Sequence, residues 1–134
     1  MRVLAFGGMH RSRVSTFLID TPHEQASRAA EFWSAALGVP AASPPGEPEF
    51  MTLEDGIPGY VVAVQSVDAE PRYHLDIETD DIETEVARLV ALGATEVSRW
   101  QECRTLQAPG GHLLCVIPVH SDADHFAQHA RTWP

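Results

Sequence analysis

Hydrophobic and polar positions along the chain follow two periods, and the sequence runs through them twice. Over residues 14–20, VSTFLID alternates, with Phe17 and Ile19 set against Thr16, Leu18 and Asp20, as a strand with two distinct faces does. TPHEQASRAAEFWSAALG then changes to helical spacing, with Ala26, Ala29, Ala30, Trp33 and Leu37 on one stripe. Thr21 or a near neighbour is the expected cap, Pro22 and Glu24 suit a first turn, and Gly38 suits the position just past the end. PAASPPGEPE has the composition of a loop. FMTLE and GYVVAVQSV read as strands separated by a turn over residues 55–59.

The same order restarts at residue 72. RYHLDIE alternates, with Tyr73, Leu75 and Ile77 on one face and His74, Asp76 and Glu78 on the other. DDIETEVARLVALG is a helix with Ile82, Val86, Leu89 and Val90 as its buried stripe. Asp80 as N-cap with Glu83 three residues on has capping-box character, and Gly93 ends the helix. TEVSRWQE, RTLQAPGG and HLLCVIPV follow as strands. Each half is therefore a strand, a helix ending in Ala-Leu-Gly, and about three more strands. In this frame Thr16 stands in the place of His74, and Gly59 before YVVAVQ stands in the place of Gly111 before HLLCVI.

Either half alone would leave one face of a small sheet uncovered, so the halves are expected to join. The predicted class is α+β: two tandem βαβββ modules, about residues 14–67 and 72–119, in a single domain spanning 1–134. They would form a curved mixed sheet with a cup on one face and helices on the outer face. Residues 120–134 are expected to add a short helix starting from Asp122 or Asp124.

Composition narrows the function. At 134 residues and 44% apolar content the chain can bury a core, and no apolar run approaches a membrane span. The opening MRVLAFGGMHRSR lacks the long apolar region and cleavage site of a signal peptide, so the expected location is cytoplasmic. A net charge of −10 argues against nucleic-acid and anionic-membrane partners. Cys103 and Cys115 are too few for a disulfide framework and are expected to be reduced and unlinked. The glycine pair at 7 and 8 lacks nucleotide-loop spacing, and no G-x-S-x-G elbow is present.

Four stretches, EFWSAALGV, VVAVQSV, HLDIETDDIETEVARLVALGAT and APGGHLLCVIP, set in two βαβββ units, resemble the vicinal oxygen chelate superfamily over about residues 14–119. That superfamily includes glyoxalase I, bleomycin-resistance proteins and extradiol dioxygenases, and the match looks nearest to its glyoxalase-like subfamily. The resemblance implies a cup that can hold a divalent metal on a first-strand histidine, a fifth-strand histidine and an eighth-strand carboxylate, sometimes with another on the fourth strand. His74 matches the fifth-strand histidine. Thr16 and Cys115 stand at the first-strand and eighth-strand positions, and Ala63 or Gln65 falls on the fourth. One conventional ligand of that set remains, where a Zn²⁺, Fe²⁺ or Mn²⁺ site needs at least about three strong protein donors.

The function expected on these grounds is binding of a small organic molecule in the cup with no tightly held metal and no other cofactor. The expected lining is Thr16, Leu18, Val61, Ala63, Gln65, His74, Asp76, Trp100, Leu113, Cys115 and Ile117, with Gln65, His74 and Asp76 orienting the ligand. The alternative is a lyase, isomerase or dioxygenase of the vicinal oxygen chelate type that depends on a divalent metal ion. Whether the chain is an enzyme stays open, and His74 is its best catalytic candidate. His74 can be a hydrogen-bonded cup residue, a proton-transfer group or a metal ligand. Cys115 reads as a small core residue before a nucleophile, Cys103 as an exposed turn residue, and Glu78 as solvated near its strand end. Phe32 and Trp33 read as helix packing, His112 as solvated, and His125 with His129 as a surface pair. Exposed sheet edges point to a homodimer.

Overall fold

The computed structural model describes residues 9–134, so the glycine pair at 7 and 8 lies outside the described residues. Among them nine strands and three α-helices form a mixed α+β arrangement. The chain divides into two compact units, Ser15–Leu75 in one, and residues up to Val14 with Asp76–Pro134 in the other. The divisions fall inside two strands, β1 (His10–Pro22) and β5 (Arg72–Thr79).

In the Ser15–Leu75 unit, β1 leads through α1 (Ala26–Leu37) to β2 (Ala41–Ala42), β3 (Phe50–Leu53) and β4 (Val61–Val67). β4 runs parallel to β1, with Thr16 opposite Val61, Leu18 opposite Ala63 and Asp20 opposite Gln65. β3 pairs antiparallel with β4, and β2 with β3. The core joins Ala30 of α1 to Leu53, Val62 and Val64, with Phe17, Ile19, Trp33 and Met51 packed around them. Strand alternation therefore turns Thr16, Leu18, Asp20, Val61, Ala63 and Gln65 to the face away from α1.

Two expectations for this unit change. The helix does not start at Thr21, because Thr21 and Pro22 stay in the ladder opposite Ser66 and Val67. The Thr21 hydroxyl donates back to the Ile19 carbonyl at 3.1 Å instead of capping. A 3-10 turn, His23–Gln25, then leads into α1, whose N-cap Gln25 makes no side-chain cap bond. Within the predicted loop, Ala41 and Ala42 pair with Leu53 and Thr52 as β2. Gly38 ends α1 in the left-handed conformation at φ 71°, as its position implied.

In the other unit, the end of β5 feeds α2 (Ile82–Ala91), and β6 (Thr95–Trp100), β7 (Cys103–Gln107) and β8 (Leu113–Pro118) form an antiparallel meander. Val86 of α2 packs on Leu106 and Val116, with Ile82, Leu89 and Leu114 beside them. Val90, expected in the same stripe, is instead 45% exposed. The N-cap is Asp81, one residue later than expected, accepting from the Thr84 N–H at 3.1 Å. Asp80 is held elsewhere, taking the Arg11 backbone N–H at 2.8 Å and its Nε–H at 2.9 Å. α3 (Ala123–His129) starts from an Asp122 cap, as expected. The final strand β9 (Arg131–Trp133) was not expected; it pairs with His10, Arg11 and Ser12.

The duplicated frame survives at its glycines. Gly59 and Gly111 lie two residues before β4 and β8 and both have positive φ, 86° and 97°. A side chain at either place would be strained, which is the physical reason the same residue type recurs there.

Candidate functional site

The chemistry of the Ser15–Leu75 unit gathers around a buried carboxylate. Asp20 is 1% exposed near the end of the β1 ladder, on the face away from α1. Its Oδ2 accepts from the His74 Nδ1–H at 2.7 Å and from the Arg72 Nε–H at 3.0 Å. Arg72 and His74 are two apart on β5, so both side chains leave the same face of the strand. A carboxylate in this place would be costly to bury without such donors. Its hold on Nδ1 fixes the ring orientation and favours the tautomer with the proton on that nitrogen. Asp20 Oδ1 is buried with no hydrogen-bond partner among the described residues.

Five of the residues expected to line the cup lie on the strand of Asp20 and on its partner β4. Thr16, Leu18 and Ala63 are buried, Val61 and Gln65 partly so, and the parallel register sets Gln65 beside Asp20. Ser15 and Thr16 share a hydroxyl hydrogen bond of 3.1 Å. Asp20 and Arg72 are missing from the expected ligand set. The signal for Asp20 was present: a carboxylate in an alternating run, on the face of Thr16 and Leu18, needs a partner.

In the other unit, Cys115 opposes Thr105 in the β7–β8 ladder, with Sγ 3.5 Å from the Thr105 hydroxyl. Leu113, Cys115 and Ile117 lie on the face opposite Leu114 and Val116 and are half-buried. A carboxylate oxygen of Asp76 comes within 4.8 Å of Cys115 Sγ. Cys103 is not an exposed turn residue. It opens β7, half-buried, and its thiol is pushed up from the usual range, first by burial and then by the neighbouring Cys115, Asp76 and Glu102. Trp100 opposes Cys103 at the end of β6 and is 71% exposed.

Glu78 corrects its expectation most sharply. It is fully buried, accepting from the backbone N–H groups of His120 and Ser121 at 3.0 and 3.1 Å, the Ser121 hydroxyl at 2.7 Å and Arg13 Nη1 at 2.9 Å. Burial alone would raise its carboxyl, but the hydrogen bonds from Ser121, His120 and Arg13 prevail and hold it below the usual range. These partners tie the segment after β8 to β5, so Glu78 is a structural anchor. His112 is exposed, and the His125 and His129 rings stack at 4.4 Å on α3, as a surface pair.

A metal of the superfamily type can be tested against these donors. The first-strand position carries Thr16, a weak neutral donor, and the eighth-strand position carries Cys115 in a hydrogen bond to Thr105. His74 is the one conventional ligand in place. The donors at the family's metal positions therefore do not fit the usual histidine and carboxylate set.

A family model described as a glyoxalase-like domain matches residues 16–117. Among solved structures, a hypothetical protein from Bacillus halodurans C-125 is 12% identical, covering 84% of this chain and 97% of that one at a TM-score of 0.63. The Mycobacterium tuberculosis methylmalonyl-CoA epimerase is 12% identical, covering 79% and 87% at 0.53. A variant of the Streptomyces coelicolor methylmalonyl-CoA epimerase in complex with 2-nitronate-propionyl-CoA is 14% identical, covering 81% and 95% at 0.53. At such identities these likenesses speak for the fold alone. No curated protein matches the chain significantly. With the family model running from the first strand of the first half to the last strand of the second, the chain belongs to the glyoxalase-like domain family.

Proposed function

We propose that this protein binds a small organic molecule against the His74 face of the Ser15–Leu75 unit, without a tightly held metal, and that it acts in the cytoplasm as a homodimer. The observation that carries the binding reading is the 2.7 Å bond between His74 Nδ1 and the fully buried Asp20. A buried carboxylate that holds one ring nitrogen fixes the direction in which the imidazole hydrogen-bonds. That arrangement suits a ligand carbonyl or hydroxyl, or a proton transfer to or from it. Val61 lies partly exposed on the same strand face, with Leu18 and Ala63 buried next to it, so apolar side chains border the polar trio. No helix among the described residues is long and apolar enough to cross a membrane.

A panel of small carbonyl and hydroxyl compounds, titrated by ligand-observed NMR into chelator-treated protein, tests this. Binding that persists after chelation and is lost in His74→Ala, with the melting temperature little changed, is the expected result. Loss of all binding on chelation would overturn it.

A second reading, a metal-dependent lyase, isomerase or dioxygenase, has one observation in its favour: the Asp76 carboxylate within 4.8 Å of Cys115 Sγ. The carboxylate and thiol could serve as donors of a different kind from the family's. Stoichiometric divalent metal in purified protein, lost on changing Asp76 or Cys115, would favour this reading over the first.

A further inference from the structure

We infer that Arg72 is an anion-binding residue and that the molecule taken by the His74 face carries a terminal oxyanion, a carboxylate or a phosphoryl group. The inference rests on the reading of that face as a ligand site and adds its substrate class.

Arg72 meets its carboxylate at one point, as the side chains of Arg11 and Arg104 meet Asp80 and Glu83, whereas two other arginines of the chain use both ends of the fork. Arg88 grips Glu85 with its fork, Nε to Oε1 at 2.9 Å and Nη2 to Oε2 at 2.8 Å. Arg99 grips Glu96 the same way, at 2.9 and 3.2 Å. Such two-point pairing is the favoured way for a guanidinium to neutralise a carboxylate. Arg72 forgoes it. It gives Asp20 only its Nε–H, at 3.0 Å, although Asp20 Oδ1 has no partner among the described residues. The two Nη groups of Arg72 make no hydrogen bond with any described residue. The Arg72 side chain is 45% exposed while that of Asp20 is fully buried.

Asp20 thus holds the guanidinium by one edge and leaves its outer edge, with up to four N–H donors, to a ligand. Arg72 and His74 share a strand face, so an oxyanion on those donors would bring the rest of a small molecule alongside the imidazole. The charge balance makes the placement pointed. The Ser15–Leu75 unit has nine Asp and Glu residues and two arginines, Arg28 on α1 and Arg72. A surface so acidic repels anions unless a cation is set aside for them. Asp20 offsets part of the Arg72 charge, so the selectivity comes from directional donors and is moderate, about tenfold.

The test uses the full chain after chelator treatment, with benzoate, phenylphosphonate, the neutral benzamide and inorganic phosphate as probes. Affinities come from titrations followed on the Arg72 Nε–H signal and the backbone amides of residues 72–74. Benzoate or phenylphosphonate should bind about tenfold tighter than benzamide and move the Nε–H signal, and the order of the two separates carboxylate from phosphoryl recognition. In Arg72→Gln the ratio should fall to about one, and in Arg72→Lys it should fall only in part, since a point cation replaces the fork. The wild-type ratio decides the matter even where a variant melts early. Benzamide binding as tightly as the anions, or a ratio unchanged in Arg72→Gln, overturns the inference. If benzamide is then still lost in His74→Ala, the ligand site stands without its anion preference. No binding by any of the four probes overturns the inference, as does inorganic phosphate matching the organic anions.

Discussion

At the scale of single residues, a few buried carboxylates decide what their neighbours can do. Asp20 aligns His74 and Arg72, and Glu78 collects donors from Arg13, His120 and Ser121. Their roles differ because their partners differ in exposure: Arg72 is 45% exposed, Arg13 only 7%. Changing Glu78 to Ala should leave the Arg13 guanidinium buried without its carboxylate and cost about 3–5 kcal/mol. Denaturant unfolding measures this, and a loss under about 1 kcal/mol would contradict the anchor role. Asp20→Asn keeps a carbonyl oxygen for one donor but removes the charge. It should lower stability by about 1–3 kcal/mol and weaken ligand binding at His74, read by unfolding and titration together. His74 and most of its apolar neighbours were legible from alternation. The burial of Glu78 was not, because its donors lie more than forty residues away on either side and nothing local announces them.

At the scale of elements, the helices and strands were read largely where periodicity is strong, and misread at their ends. α2 begins at an Asp81 cap because Asp80 is bound to Arg11, a contact across 69 residues that no local pattern contains. Asp81→Ala should therefore cost about 1 kcal/mol through the lost Thr84 cap bond. Thermal unfolding checks it, and Asp80→Ala should show no loss of that bond. β2 and β9 are two and three residues long, too short to carry a period, and are fixed by their pairing partners.

The same elements carry a pH dependence. Glu78, Asp80 and Glu85 are each raised by burial but brought below their ordinary values, 4.5 for Glu and 3.8 for Asp, by hydrogen bonds and arginines. For Glu85 these come from Arg88, His10 and Ser12. A depressed native carboxyl adds stability that is present at neutral pH and disappears as pH falls below those ordinary values. Stability by urea unfolding should hold from pH 7 to 5 and then drop steadily below about 4.5. Glu85→Gln should make that acid limb shallower. A stability that stays flat down to pH 3 would contradict the assignment.

At the scale of the whole molecule, the duplication was the most legible feature, because it is written in repeated punctuation as well as in periodicity. Gly38 and Gly93 close the helices, and Gly59 and Gly111 open β4 and β8, all with positive φ. Apolar side chains remain outside both cores: Tyr73 is 70% and Leu75 37% exposed in one unit, Val97 56% and Trp100 71% in the other. Burying such residues in a symmetric contact is the usual course, and the proposed homodimer should sediment as a two-chain species at tens of micromolar. A monomer throughout that range would contradict it. The Asp20–Arg72 pair was the least legible, since the two lie 52 residues apart and meet only once β1 and β5 have formed.

The central claim is that His74 is a directed, metal-free hydrogen-bonding group set by Asp20. The most direct measurement is ¹⁵N NMR of the His74 ring nitrogens in chelator-treated protein, repeated after one equivalent of Zn²⁺. The account predicts a protonated Nδ1, lost as a distinct state in Asp20→Asn, and no change at Nε2 when zinc is added. An Nδ1 without its proton in the wild type, or an Nε2 shift to the metal-bound range at equimolar zinc, would contradict it.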